Sequence, residues 1–324
     1  MRQFNLVLAT LREDPEDTAA DLESIARHVE AIDPRIRAVV LRKGRIHRLL
    51  RSHLWALPSL SIVGQLSGRQ RLLPGRLLTS RLLLKDSEYK RLAAAGFPVP
   101  KWTLIAPDTV LDPAEWGPYV VKKPNDGGRG ANVRIKRVRR VRYEPPETLE
   151  TYGRRGMLAQ EFIYTGEWPQ SFRVMTLLGQ AILCYHQITI GRGKPLLHRW
   201  GFEAAPGTPV VSNTRDMQVT MVKDPEVISL CERAHRSAFP DVPLLGFDMI
   251  RDAETGKLYI LECHPHGPSW LFSSISGRSI QEKSQVDFVA QYDGLRKCAE
   301  ILAEATPRLA ARRLPFQSLD GRWA

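Results

Sequence analysis

GFDMIRDAETGKLYILECHPHG, residues 246–267, is the stretch on which the reading of this 324-residue chain turns. Two apolar runs, GFDMI at 246–250 and YILE at 259–262, flank the turn-like DAETGK, which predicts two antiparallel strands. Residues two apart on a strand point to one face, about 6–7 Å apart, so Glu262 and His264 stand side by side. Asp248 comes to the same place from the other strand. Paired carboxylates are what Mg²⁺ takes when it also holds phosphate oxygens. A surface hairpin with unrelated charges is the plain alternative. Glu262, however, follows three apolar residues and precedes Cys263, which predicts burial, where an unpaired carboxylate is costly.

Three upstream stretches bear on the choice. In YVVKKPNDGGRGANV (119–133) lysines end a strand, and glycines follow at 127, 128 and 130. Glycines let backbone N–H groups cradle phosphate oxygens, and Lys supplies a point charge. Neither GxxxxGK[ST] nor GxGxxG occurs, so taken alone the stretch also reads as a plain hairpin. SRLLLKDSEYKRLAAAGFPVPKW (80–102) predicts a helix within 81–98 that stops at Gly96, with Pro98 and Pro100 beyond. In MLAQEFIYTGEWPQSFRV (157–174) one strand ends in a polar pair and an aromatic, and a second begins near Ser171.

Lysine helix, lysine strand with glycine loop, QEFI, arginine strand, then Asp and Glu-x-His: taken in this order the pieces resemble the ATP-grasp superfamily. The entry resembles the RimK-type and glutathione-synthetase-like carboxylate–amine ligases, Lys85 standing eleven residues before Gly96. The resemblance covers roughly residues 80–270. It implies an α/β fold of two α+β lobes behind a small N-terminal α/β unit. Residues 1–80 would form that unit, 81–158 the first lobe, 159–304 the second, and 305–324 a basic tail. It further implies that Lys85 and Lys123 contact the phosphates of ATP, under a lid of Gly127, Gly128 and Gly130. Lys122 and Lys123 face opposite ways on a strand, and the following proline and glycine favour Lys123. Gln160, Glu161, Phe162 and Ile163 would bind adenine, and Glu167 the ribose. Arg173 would support the γ-phosphate or the acyl-phosphate, and Asp248 and Glu262 would ligate Mg²⁺. The implied reaction is ATP-dependent ligation of a carboxylate to an amine through an acyl-phosphate.

Two departures from the family pattern matter. His264 stands where the family has Asn. It would be a metal ligand that loosens the site toward Mn²⁺, or a phosphate contact as the imidazolium, or the mark of a lost second metal. A separate zinc site from Cys263, His264, His266, Cys184 and His186 is a further alternative. In TIGRGKPLLHRWGFE (189–203) the expected Asn is missing, while Arg192, His198 and Arg199 are present. Arg192 or Arg199 would clamp a substrate carboxylate, or the loop is simply basic and solvated.

The remaining sequence predicts strands at 4–9, 36–41, 102–106, 133–141, 171–178 and 180–190, an apolar piece near 60–64, and a tight turn at LGQ (178–180). Helices are predicted at about 16–31, 225–239 and 282–304. KRVRRVR (136–142) alternates like a half-buried strand. Apolar residues make up 43% and charged residues 25%, a globular composition, and no apolar run of about 18 residues predicts a membrane span. The N-terminus turns acidic too early for a signal peptide. The four cysteines form no CxxC pair, so a reducing cytoplasm is the expected setting. The net charge of +12 fits an acidic substrate or peptide, or only an arginine-rich surface. Two other functions compete with the ligase: a nucleotide-binding module without turnover, and, ranked last, a nucleic-acid binder, since few aromatics interleave the arginines.

Overall fold

The first apolar run, β1 (Phe4–Ala9), becomes the inner strand of a parallel sheet. β2 (Ile36–Leu41), β3 (Ser59–Val63) and β4 (Arg76–Thr79) join it in the order β2-β1-β3-β4. Leu6 and Val7 point to opposite faces and neither is exposed, as a parallel sheet covered on both sides requires. α1 (Glu16–Ile32) buries Ala19, Ile25, Ala26 and Val29 along one stripe. The computed structural model describes residues 1–9, 16–41, 56–63, 73–80, 83–126, 130–149, 152–190, 193–204, 216–264 and 270–312.

Next comes α2 (Lys85–Ala94), which leads into an antiparallel sheet ordered β5-β8-β6-β7. Its strands are β5 (Trp102–Leu104), β6 (Tyr119–Pro124), β7 (Arg134–Arg137) and β8 (Met157–Glu161). The short α3 (Pro113–Trp116), capped by Asp112, covers one side. A second antiparallel sheet is ordered β11-β10-β9-β12-β13. It comprises β9 (Gln170–Leu177), β10 (Gln180–Thr189), β11 (Met217–Met221), β12 (Leu244–Arg251) and β13 (Leu258–His264). β9 turns into β10 through Leu178 and Gly179, both at positive φ, the geometry of a two-residue hairpin. α4 (Pro225–Ala238) starts at the Asp224 cap and lays Val227, Leu230, Cys231, Ala234 and His235 on this sheet. The chain then forms α5 (Ile275–Ser284) and α6 (Gly294–Leu309). Among the described residues no helix is long and apolar enough to cross a membrane.

Several expectations need correction. The alternating run at 133–141 is a strand only to Arg137; Val138–Arg140 form a 3-10 turn. Val138 and Val141 both bury in one cluster, and three-residue spacing puts them on one side only in such a turn. The helix expected over 282–304 is two helices. Gln285 and Asp293 adopt positive φ, and the chain between them leaves helical geometry. There Phe288 stacks on Tyr185 at 5.3 Å, and Gln291 bonds both backbone groups of Cys184. The expected tail does not begin at 305. Ala305 and Thr306 are buried in α6, which packs on α1 and the first sheet, and Ala311 bridges Ser59. Residues 313–324 lie outside the described residues.

His235 sits wholly inside the second sheet's core, between the Thr176 hydroxyl (2.7 Å) and the Val242 carbonyl (2.7 Å). Burial lowers its pKa to about 4. Between pH 4 and 6.5 the unfolded chain therefore binds a proton that the folded one does not, and stability falls as pH drops through that window. The expected loss is roughly 3 kcal/mol. Urea denaturation of wild type and His235→Gln over pH 4–7 checks it: the variant should show a shallower limb, and parallel limbs would refute it.

Candidate functional site

One register row crosses four strands of the second sheet. Tyr185 on β10 lies opposite Arg173 on β9, Arg173 opposite Asp248 on β12, and Asp248 opposite Glu262 on β13. The Arg173 guanidinium holds Asp248 at 2.7 Å. His264, paired in register with Gly246, reaches back so that its Nε2 meets Asp248 Oδ2 at 2.9 Å. Asp248, Glu262 and His264 each offer one ligand atom within 4.8 Å of the others. This set suits a divalent cation. Its imidazole nitrogen admits Mn²⁺ as well as Mg²⁺. Burial raises the Asp248 pKa, but Arg173 and His264 outweigh it and hold it near 2. Glu262 is also lowered, since His264, Lys85 and Lys123 together overcome its burial.

Three side chains on one face of α2 meet three consecutive residues of β13. The Tyr89 hydroxyl bonds the Leu261 carbonyl at 2.6 Å, Lys85 Nζ meets Glu262 at 3.0 Å, and Glu88 accepts the Cys263 N–H at 3.2 Å. Burial, with the charge of Glu262, pushes the Glu88 carboxyl well above its usual range, toward the protonated form. The start of α2 has no side-chain cap from Leu84. Asn125, in the turn just after β6, supplies one: its Oδ1 accepts from Asp86 N and its carbonyl from Lys85 N. The helix bearing Lys85 is thereby tied to the strand bearing Lys123.

Lys123 enters the same cleft, with Nζ at 2.8 Å from the Tyr89 hydroxyl and 3.5 Å from the Leu261 carbonyl. Burial lowers its pKa to about 8, against the pull of Glu262. Lys122 points the other way, to Glu144 (2.8 Å) and the Arg142 carbonyl (2.9 Å).

Beyond β8 the linker runs beside the segment 193–204. Gln160 Oε1 accepts from the Tyr89 hydroxyl, and Glu161 is bonded to the backbone of Lys101. Phe162 and Ile163 are buried, Phe162 against Trp200 and Phe202. A Cβ on Gly117 (φ +72°) would fall 2.8 Å from the Trp200 ring, so that close approach requires glycine. Glu167 is exposed, and its carbonyl accepts from Leu196 N.

No known family profile and no curated protein matches the chain. Solved structures do. The D-cycloserine synthetase DcsG is 15% identical over 93% of this chain and 99% of its own, at a TM-score of 0.52. The ATP-grasp ligase PsnB, solved in complex with minimal precursor, is 17% identical over 94% of this chain and 100% of its own, also at 0.52. The fold is ATP-grasp.

Within that ATP-grasp frame the structure brings together Lys85, Lys123, Arg173, Asp248, Glu262 and His264, with Gln160 joined through Tyr89. Glu161, Phe162, Ile163 and Glu167 follow along the linker. Arg199 does not join this group. Its guanidinium is taken up by Asp252 (2.5 Å) and Glu254 (2.8 Å), in the turn at the other end of the β12–β13 hairpin. Four residues of strand put that turn about 13 Å from Asp248. Gly130 has φ +69°. Gly127, Gly128, Arg192 and His266 lie outside the described residues. The cysteine-containing zinc grouping is not assembled: Cys184 and Cys263 are buried in the core, and among the described residues the metal-capable cluster is Asp248, Glu262 and His264. Glu88, Tyr89 and Asn125 were not singled out from sequence. For the first two a signal existed, since they stand three and four residues after Lys85 and share its helix face.

Replacing Asn125 by Ala removes the borrowed cap and leaves Asp86 N–H without its acceptor. The variant should lose about 1–2 kcal/mol of stability while still unfolding cooperatively. A urea midpoint unchanged from wild type would show that the cap contributes nothing.

Proposed function

We propose that this chain is an ATP-dependent ligase that joins a carboxylate to an amine and releases ADP and phosphate. The observation that carries this reading is the charged cluster itself. Lys85, Lys123 and Arg173 converge on two ionised carboxylates that are opposite in register and share a histidine. Three cations beside two carboxylates suit a polyanion that arrives with its own divalent ion. Asp248, Glu262 and His264 are the residues to hold Mg²⁺ or Mn²⁺, which when bound supplies charge neutralisation at the phosphate oxygens.

In this reading Lys85 and Lys123 hold the phosphates and Arg173 supports the γ-phosphate. The linker from Gln160 to Ile163 receives adenine, and Glu167 the ribose. A donor carboxylate oxygen attacks the γ-phosphorus, the bond from phosphorus to the bridging oxygen breaks, and ADP leaves with that electron pair. The amine nitrogen then attacks the acyl carbon, the carbon–oxygen bond to phosphate breaks, and the nitrogen gives up its proton. Such a reaction asks the protein chiefly to position groups and neutralise charge. The excess of basic residues supports an acidic substrate.

The direct test is ADP release from ATP and Mg²⁺ or Mn²⁺ across a screen of acids, amines and acidic peptides. Turnover should require both an acid and an amine. Glu262→Gln should lower it by at least about 100-fold while the protein stays folded, because a metal-holding carboxylate is gone. ATP binding with no ADP release in any mixture would reduce the reading to a nucleotide-binding protein, and full activity in Glu262→Gln would sink the metal assignment.

Affinity for ATP should also depend on pH with a definite sign. In the free protein Lys123 loses its proton near pH 8. Above that value phosphate binding must first restore the charge, so affinity should fall as pH rises from about 8 toward 10. Calorimetric titrations across that range check it, and a flat profile excludes Lys123 as a phosphate ligand.

A further inference from the structure

One buried hydroxyl joins both antiparallel sheets. The Tyr89 ring, on α2, is not exposed and rests on Trp102 of β5, with centroids 5.6 Å apart. Its hydroxyl touches three strands at once: Lys123 of β6, Gln160 of β8 and Leu261 of β13. The first two strands belong to the sheet with the glycine loop, the third to the sheet with the metal-capable cluster. No residue of the ATP-binding set assigned above has this role.

We propose that Tyr89 is a positioning residue that fixes the Lys123 ammonium against the strand bearing Glu262. The inference rests on the reading of Lys123 as a phosphate ligand. Hydrogen-bond direction supplies the argument. The Leu261 carbonyl and Gln160 Oε1 are both acceptors, at 2.6 and 2.8 Å, so the single phenolic proton points to that pair. The oxygen's lone pairs are left for a donor, and the Lys123 ammonium, at 2.8 Å, is that donor. Orientation of the hydroxyl is therefore imposed from two sides, and it imposes in turn where Nζ sits. Without the hydroxyl, the contact that remains to Nζ from this group is the Leu261 carbonyl at 3.5 Å, a poor partner for a buried ammonium.

The surroundings make the restraint necessary. Charged and titratable groups reach Lys123 from every side: Lys85 and Glu88 from α2, Glu262 from β13 and Asp248 from β12. Lys85 repels the ammonium, while Glu262 attracts it toward the place a metal ion would take. A neutral acceptor on a rigid ring holds it off that carboxylate, leaving Glu262 to Lys85 and keeping Lys123 free to turn toward phosphate. The phenol serves this purpose because it does not ionise: burial and the charge of Glu262 push its pKa well above 10.

A double-mutant cycle on the full chain tests the assignment. Tyr89→Phe keeps the ring against Trp102, and a melting temperature near wild type establishes that it is folded. Calorimetric titration with ATP and Mg²⁺ should show affinity about tenfold weaker in Tyr89→Phe, as expected for a lost bond to a charged group. In the Lys123→Met background, the same substitution should cost nothing further. Equal affinity of Tyr89→Phe and wild type, or penalties that add in the double variant, would overturn the proposal, since a purely structural role adds. Absence of ATP binding by wild type would instead refute the nucleotide reading. In that event nucleotide-free crystal structures of wild type and Tyr89→Phe decide this inference: Lys123 Nζ should leave the Leu261 carbonyl in the variant, and an unmoved ammonium would overturn it.

Discussion

A carboxylate on β13, three-quarters or more withdrawn from water, cannot stay ionised without nearby cations. Glu262 is such a group, and much of the molecule's arrangement follows from keeping it charged. Lys85 comes to it from a helix, and Asp248 beside it carries its own guanidinium, Arg173. The partners come from three different parts of the chain, so they meet only when β9, β12 and β13 are in register. A slip of one residue would turn Arg173, Asp248 or Glu262 to the opposite face and leave buried charges unmatched. The electrostatic demand of the site and the register of the sheet are in this sense one constraint.

The same demand explains why α2 lies where it does. This helix is polar by composition, and Lys85, Asp86 and Glu88, three of its buried residues, carry ionisable groups. Its wholly buried Leu92 joins the core cluster that holds Ile260 of β13. Contacts with the Leu261 carbonyl, the Glu262 carboxylate and the Cys263 N–H hold it there, and the Asn125 cap holds its start. Because those bonds reach both antiparallel sheets, hydrogen bonds as well as apolar contact join the sheets here. They are directional, and they set the lysines to within the tolerance of a hydrogen bond.

How much of this was legible in the sequence depends on the range of the interaction. The apolar runs around Asp248 and Glu262 are local, and alternation alone placed both carboxylates and His264 on one face of a hairpin. The opposed directions of Lys122 and Lys123 followed from the strand period in the same way. Glu88 and Tyr89 escaped because their partners, the backbone of Cys263 and Leu261, are more than 170 residues away. In KDSEYKRL the spacing from Lys85 puts both on its helix face, but it does not name the strand that covers that face. The sequence offers Arg192 or Arg199 as a clamp for a substrate carboxylate, or else a solvated basic loop; Asp252 and Glu254 occupy the Arg199 fork, a pairing that only the folded turn reveals. The run at 133–141 misled for a different reason: its alternation holds over a few residues only, and the burial of Val138 and Val141 together decides against it.

The return of α6 to the first sheet has a consequence for how the chain comes into being. β1, β2 and β3 are translated early, yet the helix that packs over them begins at Gly294, and the bridge that finishes the edge at Ser59 waits for Ala311. While the ribosome makes the two antiparallel sheets, the first sheet has α1 on that face but not its neighbour. Leu302 and Ile301 reach the cluster of Leu6, Ile25 and Leu60 only after both of those sheets have been made. Of these three sheets, the one made first is therefore the last to be closed.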